Sequence, residues 1–456
     1  MRNSKTHPTS AVNARWRDLN AFTHITPDFA ASPAEAVPNV LVYPDLDPEK
    51  PLSGYSLVVK DNIEVAGMPC TCGTPALRTH VAQLDAPAVA LLRSAGARIV
   101  AKTNMHELAY GITSNNAAFG PVRNAYDPTC FAGGSSGGTA VAIATELVRA
   151  GLGTDTGGSS RIPAALNGIV GFRPSVGRYP MAGVARISHT RDVIGPMGRE
   201  VSDVALLDAV LSGDPTAKLT PFDARGLRLG LPARHFQESL HVDVSRALES
   251  TVECLRDAGV VFVNADLPNI AEVNTAVSFP VVLYETRHAL QTYLREAGLN
   301  LTLQELHDAI ASPDVKELVG LSLHGHIAPH DYQHALGSER PRLQQIYRDY
   351  FAAHRVEAVL FATTPLPAAP IAGSDSTVVL NGARVPTFAT YIRNTDPASN
   401  AGVPAISFPA VTGSGHLPLG VEIDGPYGSD RRLLAIAAAL QAILERHSTN
   451  PQGLLP

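Results

Sequence analysis

Segments with helical spacing of apolar residues and short, largely apolar segments follow one another along this chain, and together they predict an α/β protein. The predicted elements are, in chain order, a strand at 55–60, a helix at 86–96, a strand at 97–103, a helix and a strand within 244–266, a strand at 417–424 and a helix at 429–447. The helices have the spacing of one apolar face, and a glycine ends the first of them. Helices joined to strands by tight turns are typical of layered α/β folds.

Two regions depart from this pattern. Residues 1–50 are rich in proline, alanine and aspartate, and we interpret them as an arm that wraps the body formed by residues 51–456. Residues 268–355 are predicted to be mostly helical and to form an insertion at the substrate pocket. This insertion contains a group of histidines, which are His288, His307, His324, His326, His330 and His334. They lack the spacing of a zinc-binding helix with a nearby carboxylate, so we expect surface or pocket histidines and no metal.

Composition narrows the possible functions. The chain has 456 residues, of which 45% are hydrophobic and 17% charged, and this is enough for a large core. A net charge of −6 does not resemble a nucleic-acid-binding protein, so a small-molecule substrate is expected. Four scattered cysteines indicate reduced thiols in a cytoplasmic protein. The chain contains no run of about 18 apolar residues, so no membrane span is predicted. A homodimer is allowed, and no cofactor is predicted.

Four glycines surround two serines at residues 133–138 (GGSSGG), directly before an apolar helical stretch. A phosphate-binding P-loop needs a lysine and a hydroxyl residue after its glycines, but Thr139 and Ala140 follow here. A dinucleotide fingerprint needs a preceding strand, and the preceding residues read as a loop. The G-x-S-x-G pattern of hydrolases also needs that strand. Phosphate binding is therefore disfavoured, and Ser135 need not itself be a nucleophile.

A second glycine-flanked serine pair follows at residues 150–165 (AGLGTDTGGSSRIPAA). Residues 139–150 between the pairs are predicted to be a helix, which separates the two loops along the chain while their ends stay close. Upstream, Lys60 follows two valines at the end of the first predicted strand, where it is expected to be buried. A buried lysine either destabilises the fold or serves a function.

These segments together resemble the amidase signature family. The resemblance rests on the segments 58–62 (VVKDN), 103–111 (TNMHELAYG), 133–138 and 151–175, and it is dense over residues 55–215. It implies an α/β amidase signature fold, with a large mixed central β-sheet covered by α-helices on both faces. It also implies a Ser-Ser-Lys triad with Lys60 as general base, Ser135 as bridging serine after a cis peptide bond, and Ser159 as nucleophile.

The implied chemistry suits these residue types. Burial disfavours the lysine cation, so a neutral Lys60 could draw the proton of Ser159 through Ser135. The same resemblance implies an oxyanion hole made by backbone N–H groups, which belong to Thr156, Gly157, Gly158 and Ser159. Losing one such donor typically costs about 10²–10³ in rate.

Other residues near the motifs have supporting interpretations. Asp155 and Arg161 are expected to hold the second loop through an ion pair, Ser136 to brace the first loop, and Gly134 to permit the cis bond. Ser160 departs from the family's usual valine or isoleucine after the nucleophile. Apolar side chains beside the motifs suggest an apolar pocket, and the candidates are Met105, Tyr110, Phe131, Met181 and Tyr391.

Segments outside the core resemble one branch of the family. Residues 114–128, 176–192 and 391–410 are similar to the indoleacetamide hydrolases and to mandelamide hydrolase. The resemblance implies hydrolysis of the primary amide of an aryl-alkyl acid to a carboxylic acid and ammonia through an acyl-enzyme. The alternatives are hydrolysis of another amide, anilide or carbamate, an amidotransferase subunit that releases ammonia for a partner, and a binding module without catalysis. Retention of all three triad residues argues against a binding module without catalysis.

Overall fold

A computed structural model of the chain describes residues 18–31, 47, 49–412 and 417–449. The strands within this part are β1 (Phe22–Ile25), β2 (Ser56–Lys60), β3 (Arg98–Thr103), β4 (Ala150–Asp155), β5 (Val170–Arg173), β6 (Val193–Gly198), β7 (Arg228–Gly230), β8 (Val261–Val263), β9 (Ala358–Ala362), β10 (Thr377–Leu380), β11 (Ala383–Pro386), β12 (Ala405–Pro409) and β13 (Gly420–Asp424). The α-helices are α1 (Pro27–Ala31), α2 (Pro87–Ser94), α3 (Gly137–Ala144), α4 (Arg161–Leu166), α5 (Val201–Leu211), α6 (Val242–Asp257), α7 (Ile270–Glu296), α8 (Leu303–Ala309), α9 (Pro313–Leu323), α10 (Pro329–His334), α11 (Arg340–His354), α12 (Thr387–Ile392), α13 (Asp396–Ala401) and α14 (Asp430–Thr449).

Eleven of these strands form one mixed sheet in the order β1-β3-β2-β4-β6-β5-β12-β13-β9-β7-β8. β2 pairs in parallel with β3 and β4, while β4 pairs antiparallel with β6. β10 and β11 form a separate hairpin. The large mixed sheet predicted from the sequence is confirmed.

Helices cover both faces of this sheet, and β2 shows how the two sides divide. Leu57 and Val59 belong to an apolar core that includes α2, α5 and α14. Val58 instead packs with α3 and α4. Because side chains alternate along a strand, Lys60 shares the face of Val58 and meets the α3 side of the sheet. The sequence pattern of β2 therefore directs the lysine toward the helix that follows the GGSSGG turn.

The segment between the two serine pairs differs from its prediction. The helix predicted at 139–150 ends at Ala144, and β4 begins at Ala150. Its sequence, AGLGTD, contains little that favours a strand. It is extended because β2 and β6 pair with it on both sides, and such pairing overrides local propensity.

Both regions outside the predicted α/β pattern contact the main body. Within residues 1–50, β1 pairs antiparallel with β3 at the edge of the sheet, whereas residues 1–17 and 32–46 lie outside the described part. The segment 268–355 is helical from α7 to α11, and an apolar core joins it to Tyr110 and Ile187. Among the described residues, no helix is both long enough and apolar enough to cross a membrane.

Candidate active site

Lys60 ends β2 at a position that solvent does not reach. Its Nζ donates hydrogen bonds to Ser135 Oγ at 2.7 Å and to Thr154 Oγ1 at 2.8 Å. Burial lowers the pKa of Lys60 from 10.5 to about 7, although the carboxylates of Asp155 and Asp192 act in the opposite direction. A large share of the molecules therefore carries a neutral amine at neutral pH, and such an amine can accept a proton from a hydroxyl.

Two glycine-rich turns hold the predicted serines. The first turn leads into α3, and the second joins β4 to α4. The Ser136 N–H donates to the Ser159 carbonyl oxygen at 3.1 Å, and Ser136 Oγ donates to the Thr154 carbonyl oxygen at 3.2 Å. The peptide bond between Gly134 and Ser135 is cis. These bonds tie the two turns together, so the backbone of Ser159 lies against the turn whose Ser135 bonds Lys60.

The second turn needs its two glycines. Gly158 has a φ of +134°, and a Cβ there would lie 2.2 Å from Thr395 Oγ1. A Cβ on Gly157 would lie 2.6 Å from Ile392 Cδ1. The Gly158 N–H donates to Asp155 Oδ1 at 3.0 Å, so it already has an acceptor. Of the predicted oxyanion donors, this leaves the N–H groups of Thr156, Gly157 and Ser159.

A buried ion-pair network lies beneath this turn. Arg161 Nη2 and Arg173 Nη1 donate to Asp155 Oδ1 at 2.9 and 3.1 Å, and all three side chains are fully buried. Burial alone would raise the pKa of Asp155, but the two guanidinium groups hold it well below its ordinary value. Arg161 also donates to the Thr395 carbonyl oxygen and to Ser399 Oγ. The network connects the turn to α13, far along the chain.

Thr156, the first residue of the turn, is held from two directions. Its hydroxyl donates to Asp192 Oδ1 at 2.7 Å, and its carbonyl oxygen accepts from Arg191 Nη2 at 3.1 Å. Arg191 Nη2 also contacts Asp396 Oδ1 at 2.6 Å. Burial raises the pKa of Asp192, although hydrogen bonds from Thr156 and two backbone N–H groups oppose that rise. These contacts fix the orientation of the backbone beside Ser159.

A narrow cleft opens onto Ser159 and encloses a cavity of about 40 Å³. Its wall is mainly apolar and combines residues of the signature core with residues of α7 and α12. The lining residues are Ala109, Tyr110, Gly111, Ile112, Thr156, Gly157, Ser159, Ile187, Arg191, Ser278, Phe279, Val282, Phe388 and Ile392. Phe279 is 41% exposed, and its ring lies 6.0 Å from that of Phe388. These two rings form the outer part of the cleft.

Only one of the five predicted pocket residues lines this cleft, namely Tyr110. Phe131 and Tyr391 are buried and pack edge to face, with ring centroids 5.2 Å apart. Met105 is buried beside Gly73, and Met181 packs against the core on the Leu57 side of the sheet. Nearness to a motif along the chain therefore misassigned four of them.

Two histidines of the helical segment lie within hydrogen-bond distance of nearby backbone carbonyl oxygens. His307 Nε2 lies 3.1 Å from the Lys316 carbonyl oxygen, and His324 Nδ1 lies 2.7 Å from the Gly320 carbonyl oxygen. Within residues 18–31, 47, 49–412 and 417–449, no three histidine, cysteine or acidic side chains group as a metal site. The cleft wall contains none of the six histidines singled out from the sequence.

Sequence reasoning did not single out four residues that the site brings together. Thr154 bonds Lys60, Arg191 bonds the Thr156 carbonyl, and Phe279 and Phe388 form the cleft wall. Thr154 could have been found, because it stands two residues before Thr156 in the second motif. The other three lie 32 or more residues beyond Ser159, and the sequence gives no signal that joins them to it.

The buried Lys60 bonds Ser135, which follows a cis peptide bond, and the adjoining glycine-rich turn holds a second serine. This arrangement defines an amidase with a Ser-cisSer-Lys triad. The chain belongs to the Amidase family, whose model matches residues 10–434. It is 47% identical over 398 residues to an indoleacetamide hydrolase of Agrobacterium vitis, and this alignment covers 87% of this chain and 85% of that protein. It is 40% identical over 457 residues to a mandelamide hydrolase of Pseudomonas putida, and this alignment covers 96% of this chain and 87% of that protein. A crystal structure of an amidase superposes with a TM-score of 0.81 at 34% identity, covering 95% of each chain.

Proposed function

We propose that this amidase hydrolyses the primary amide of an aryl-alkyl acid and releases a carboxylic acid and ammonia. The observation that carries this proposal is the 2.7 Å hydrogen bond between the buried Lys60 Nζ and Ser135 Oγ, next to the turn that holds Ser159. The substrate class is supported by the apolar cleft over Ser159 and by the relatives, which are named for indoleacetamide and mandelamide.

Acylation begins with proton transfer away from Ser159. Neutral Lys60 accepts the proton of Ser135, and Ser135 Oγ takes the proton of Ser159 as Ser159 Oγ attacks the amide carbonyl. Thr154 holds the amine through a second hydrogen bond at 2.8 Å, so Nζ stays within reach of Ser135 Oγ when the neutral amine accepts its proton. The base operates best when its pKa is near the working pH, and burial supplies that match.

The negative charge that develops on the carbonyl oxygen needs donors. The backbone N–H groups of Thr156, Gly157 and Ser159 supply them, while the N–H of Gly158 stays on Asp155. The relay then returns a proton to the leaving nitrogen, ammonia departs, and an acyl-enzyme remains on Ser159. Water, activated by the same relay, releases the acid.

The acyl group occupies the apolar cleft. Ile187, Val282 and Phe388 provide apolar contact for an aryl ring, and the helical segment 268–355 contributes to this wall through α7. A cavity of about 40 Å³ is smaller than the roughly 150 Å³ that accommodates benzene in a protein core. Entry of an aryl ring therefore requires the wall of the cleft to widen, and the half-exposed Phe279 belongs to this wall.

An ammonia-release screen tests the substrate class. The set consists of indoleacetamide, phenylacetamide, mandelamide, benzamide and acetamide. We expect the three aryl-alkyl amides to have kcat/KM values about 10-fold or more above acetamide, because the cleft buries an aryl ring and acetamide offers only a methyl group. Acetamide as the preferred substrate, or no turnover of the three aryl-alkyl amides, would refute the proposed class.

The pH dependence of kcat/KM tests the base. Protonated Lys60 cannot accept a proton, and its pKa is about 7. We therefore expect kcat/KM to fall about tenfold per pH unit in acid well below pH 7 and to reach a plateau above about pH 8. The amide substrates do not titrate in this range, so the profile reports the enzyme. A flat profile from about pH 5 to pH 8 would exclude Lys60 as the titrating base.

We further propose a reducing compartment such as the cytoplasm. Cys70, Cys72, Cys130 and Cys254 are all buried, free thiols, and unpaired cysteines are usual where thiols are kept reduced. The homodimer remains a prediction.

A further inference from the structure

His106 lies behind the first glycine-rich turn, and both nitrogens of its imidazole have partners. The side chain is buried, and its Nε2 lies 3.1 Å from Oδ2 of Asp314 in α9. On the other side of the ring, the Ser114 N–H donates to Nδ1 at 3.2 Å. A backbone N–H can only donate, so Nδ1 is an acceptor and the ring hydrogen sits on Nε2, facing the carboxylate. These two contacts fix both the tautomer and the orientation of the imidazole.

The segment around His106 also holds the backbone of Ser135. The His106 N–H donates to the Ser135 carbonyl oxygen at 3.2 Å, and Ser114 Oγ donates to the same oxygen at 3.5 Å. Ser114 Oγ in turn accepts from the Gly137 N–H at 3.2 Å. Since Ser135 Oγ is bonded to Lys60, a rotation of the Ser135 peptide would carry this hydroxyl away from the amine. The imidazole therefore acts on the turn through Ser114.

Ser114 needs this support because its backbone is strained. It has a φ of +62°, a conformation that is unfavourable for a residue with a Cβ. The ring that holds it is closely packed, since a Cβ on Gly111 would lie 2.2 Å from the imidazole. Gly111 lines the cleft, whereas His106 does not. The imidazole thus lies between the cleft wall and Ser114.

Asp314 connects this arrangement to the helical segment 268–355. It lies in α9, 208 positions further along the chain than the imidazole. Beside the imidazole, the carboxylate of Glu107 accepts from the backbone N–H groups of Ala311 and Ser312, at 3.2 and 2.8 Å. Two neighbouring residues of one motif therefore bond the start of α9, and packing of this segment helps to set the position of the imidazole.

We propose that His106 is a positioning residue of this amidase. Its imidazole, oriented by Asp314, holds Ser114 through Nδ1, and Ser114 in turn keeps Ser135 within reach of Lys60. The inference rests on the proposed function, since the proton relay passes through Ser135. Without the Nδ1 acceptor, the Ser114 N–H would be buried and unpaired, and its strained backbone would relax. A displacement of about 1 Å in a reacting group can cost on the order of 10² in rate.

Two substitutions of His106 separate its contacts. In His106→Asn the amide oxygen takes the place of Nδ1 and can still accept from Ser114, but the side chain is too short for Asp314. In His106→Gln the amide nitrogen takes the place of Nε2 and can still donate to Asp314, but nothing accepts from Ser114. We expect kcat for phenylacetamide to fall about 10- to 100-fold in His106→Gln, and to stay at least about tenfold higher in His106→Asn. A role in packing alone predicts the opposite order, because glutamine fills more of the volume of the ring.

Asp314→Ala tests the partner of the imidazole, and Asp308→Ala is its matched control. Asp308 also pairs with a histidine, since its Oδ1 lies 3.4 Å from His307 Nδ1, but this pair is local to α8. We expect Asp314→Ala to lower kcat about 3- to 10-fold in the wild type. It should have no further effect in His106→Asn, whose side chain does not reach position 314. Asp308→Ala should leave kcat unchanged.

Thermal unfolding of each variant is measured alongside ammonia release, so that kcat is compared between folded proteins. Equal kcat values in the two His106 variants, a higher value in His106→Gln, or an unchanged kcat in Asp314→Ala overturns the positioning role and leaves the proposed function standing. If neither His106 variant folds, Asp314→Ala alone decides. A wild type that hydrolyses none of the three aryl-alkyl amides overturns the proposed function and this inference with it.

Discussion

Ser159→Ala is expected to lower kcat for phenylacetamide hydrolysis by about 10⁴–10⁶-fold without loss of the fold. The nucleophile of a triad cannot be replaced by its partners, and removal of a serine nucleophile in other hydrolases has effects of about this size. The fold should persist because the contact of Ser159 with the first turn uses its carbonyl oxygen, which alanine retains. Ammonia release gives the rate, and circular dichroism with thermal unfolding checks the fold.

Ser160→Ala is the matched control for this variant. Ser160 stands next to Ser159, but its hydroxyl is buried and bonds the Thr154 carbonyl oxygen at 3.3 Å. We expect its variant to keep activity within about tenfold of the wild type, since it loses one neutral hydrogen bond. An inactive Ser160→Ala beside an active Ser159→Ala would move the nucleophile to Ser160.

Lys60→Met is expected to lower kcat by about 10³–10⁴-fold and at the same time to stabilise the fold at neutral and acid pH. The rate falls because the relay loses its base. The fold gains because folding lowers the pKa of Lys60 from 10.5 to about 7, so the unfolded chain binds one more proton between these values. Below pH 7 this difference costs the wild type on the order of 5 kcal/mol. The methionine variant avoids this free-energy cost and loses two hydrogen bonds of about 1 kcal/mol each.

The direction in which the free energy of unfolding changes with pH tests the lowered pKa of Lys60 most directly. Wild-type stability should rise from about pH 7 toward pH 10, because the unfolded chain loses its extra proton there. The Lys60→Met advantage should therefore shrink over the same range, and urea unfolding at pH 6, 8 and 10 measures it. Lys102→Met is the control, since Lys102 is equally buried but forms an ion pair with Asp61 at 3.3 Å. That variant should be destabilised because it strands a buried carboxylate. A Lys60→Met variant less stable than the wild type at pH 6 would contradict the lowered pKa.

Local sequence patterns were enough to predict those parts of the site that are continuous in sequence. The apolar run of β2 placed Lys60 at a strand end, and the glycine runs marked the two turns that hold Ser135 and Ser159. The cis peptide and the mixed sheet followed from the resemblance that these motifs carry, and both are observed. Such features depend on neighbours along the chain, which a sequence displays directly.

Other parts of the site depend on residues that are distant along the chain. The strand β4 was not predicted from the sequence, because AGLGTD becomes a strand only when β2 and β6 flank it. The pocket was misassigned for the same reason. Phe131 and Tyr391 lie close to motifs, yet they pack against each other, while Phe279 comes from α7 in a different segment. Proximity along the chain is a poor measure of which aromatic ring faces a cavity.

The sequence by itself predicted the reacting groups proposed for this amidase, since a lysine at a strand end and two glycine-flanked serines are encoded in short, continuous motifs. Only the tertiary structure decided what surrounds them. Packing of α7 and α12 over the turn built the cleft and brought Arg191 to its wall. The physical reason is that hydrogen bonding and backbone conformation in a turn are local, whereas burial and shape arise from contacts between residues far apart along the chain, such as 87 and 234 positions for two of the contacts at this site.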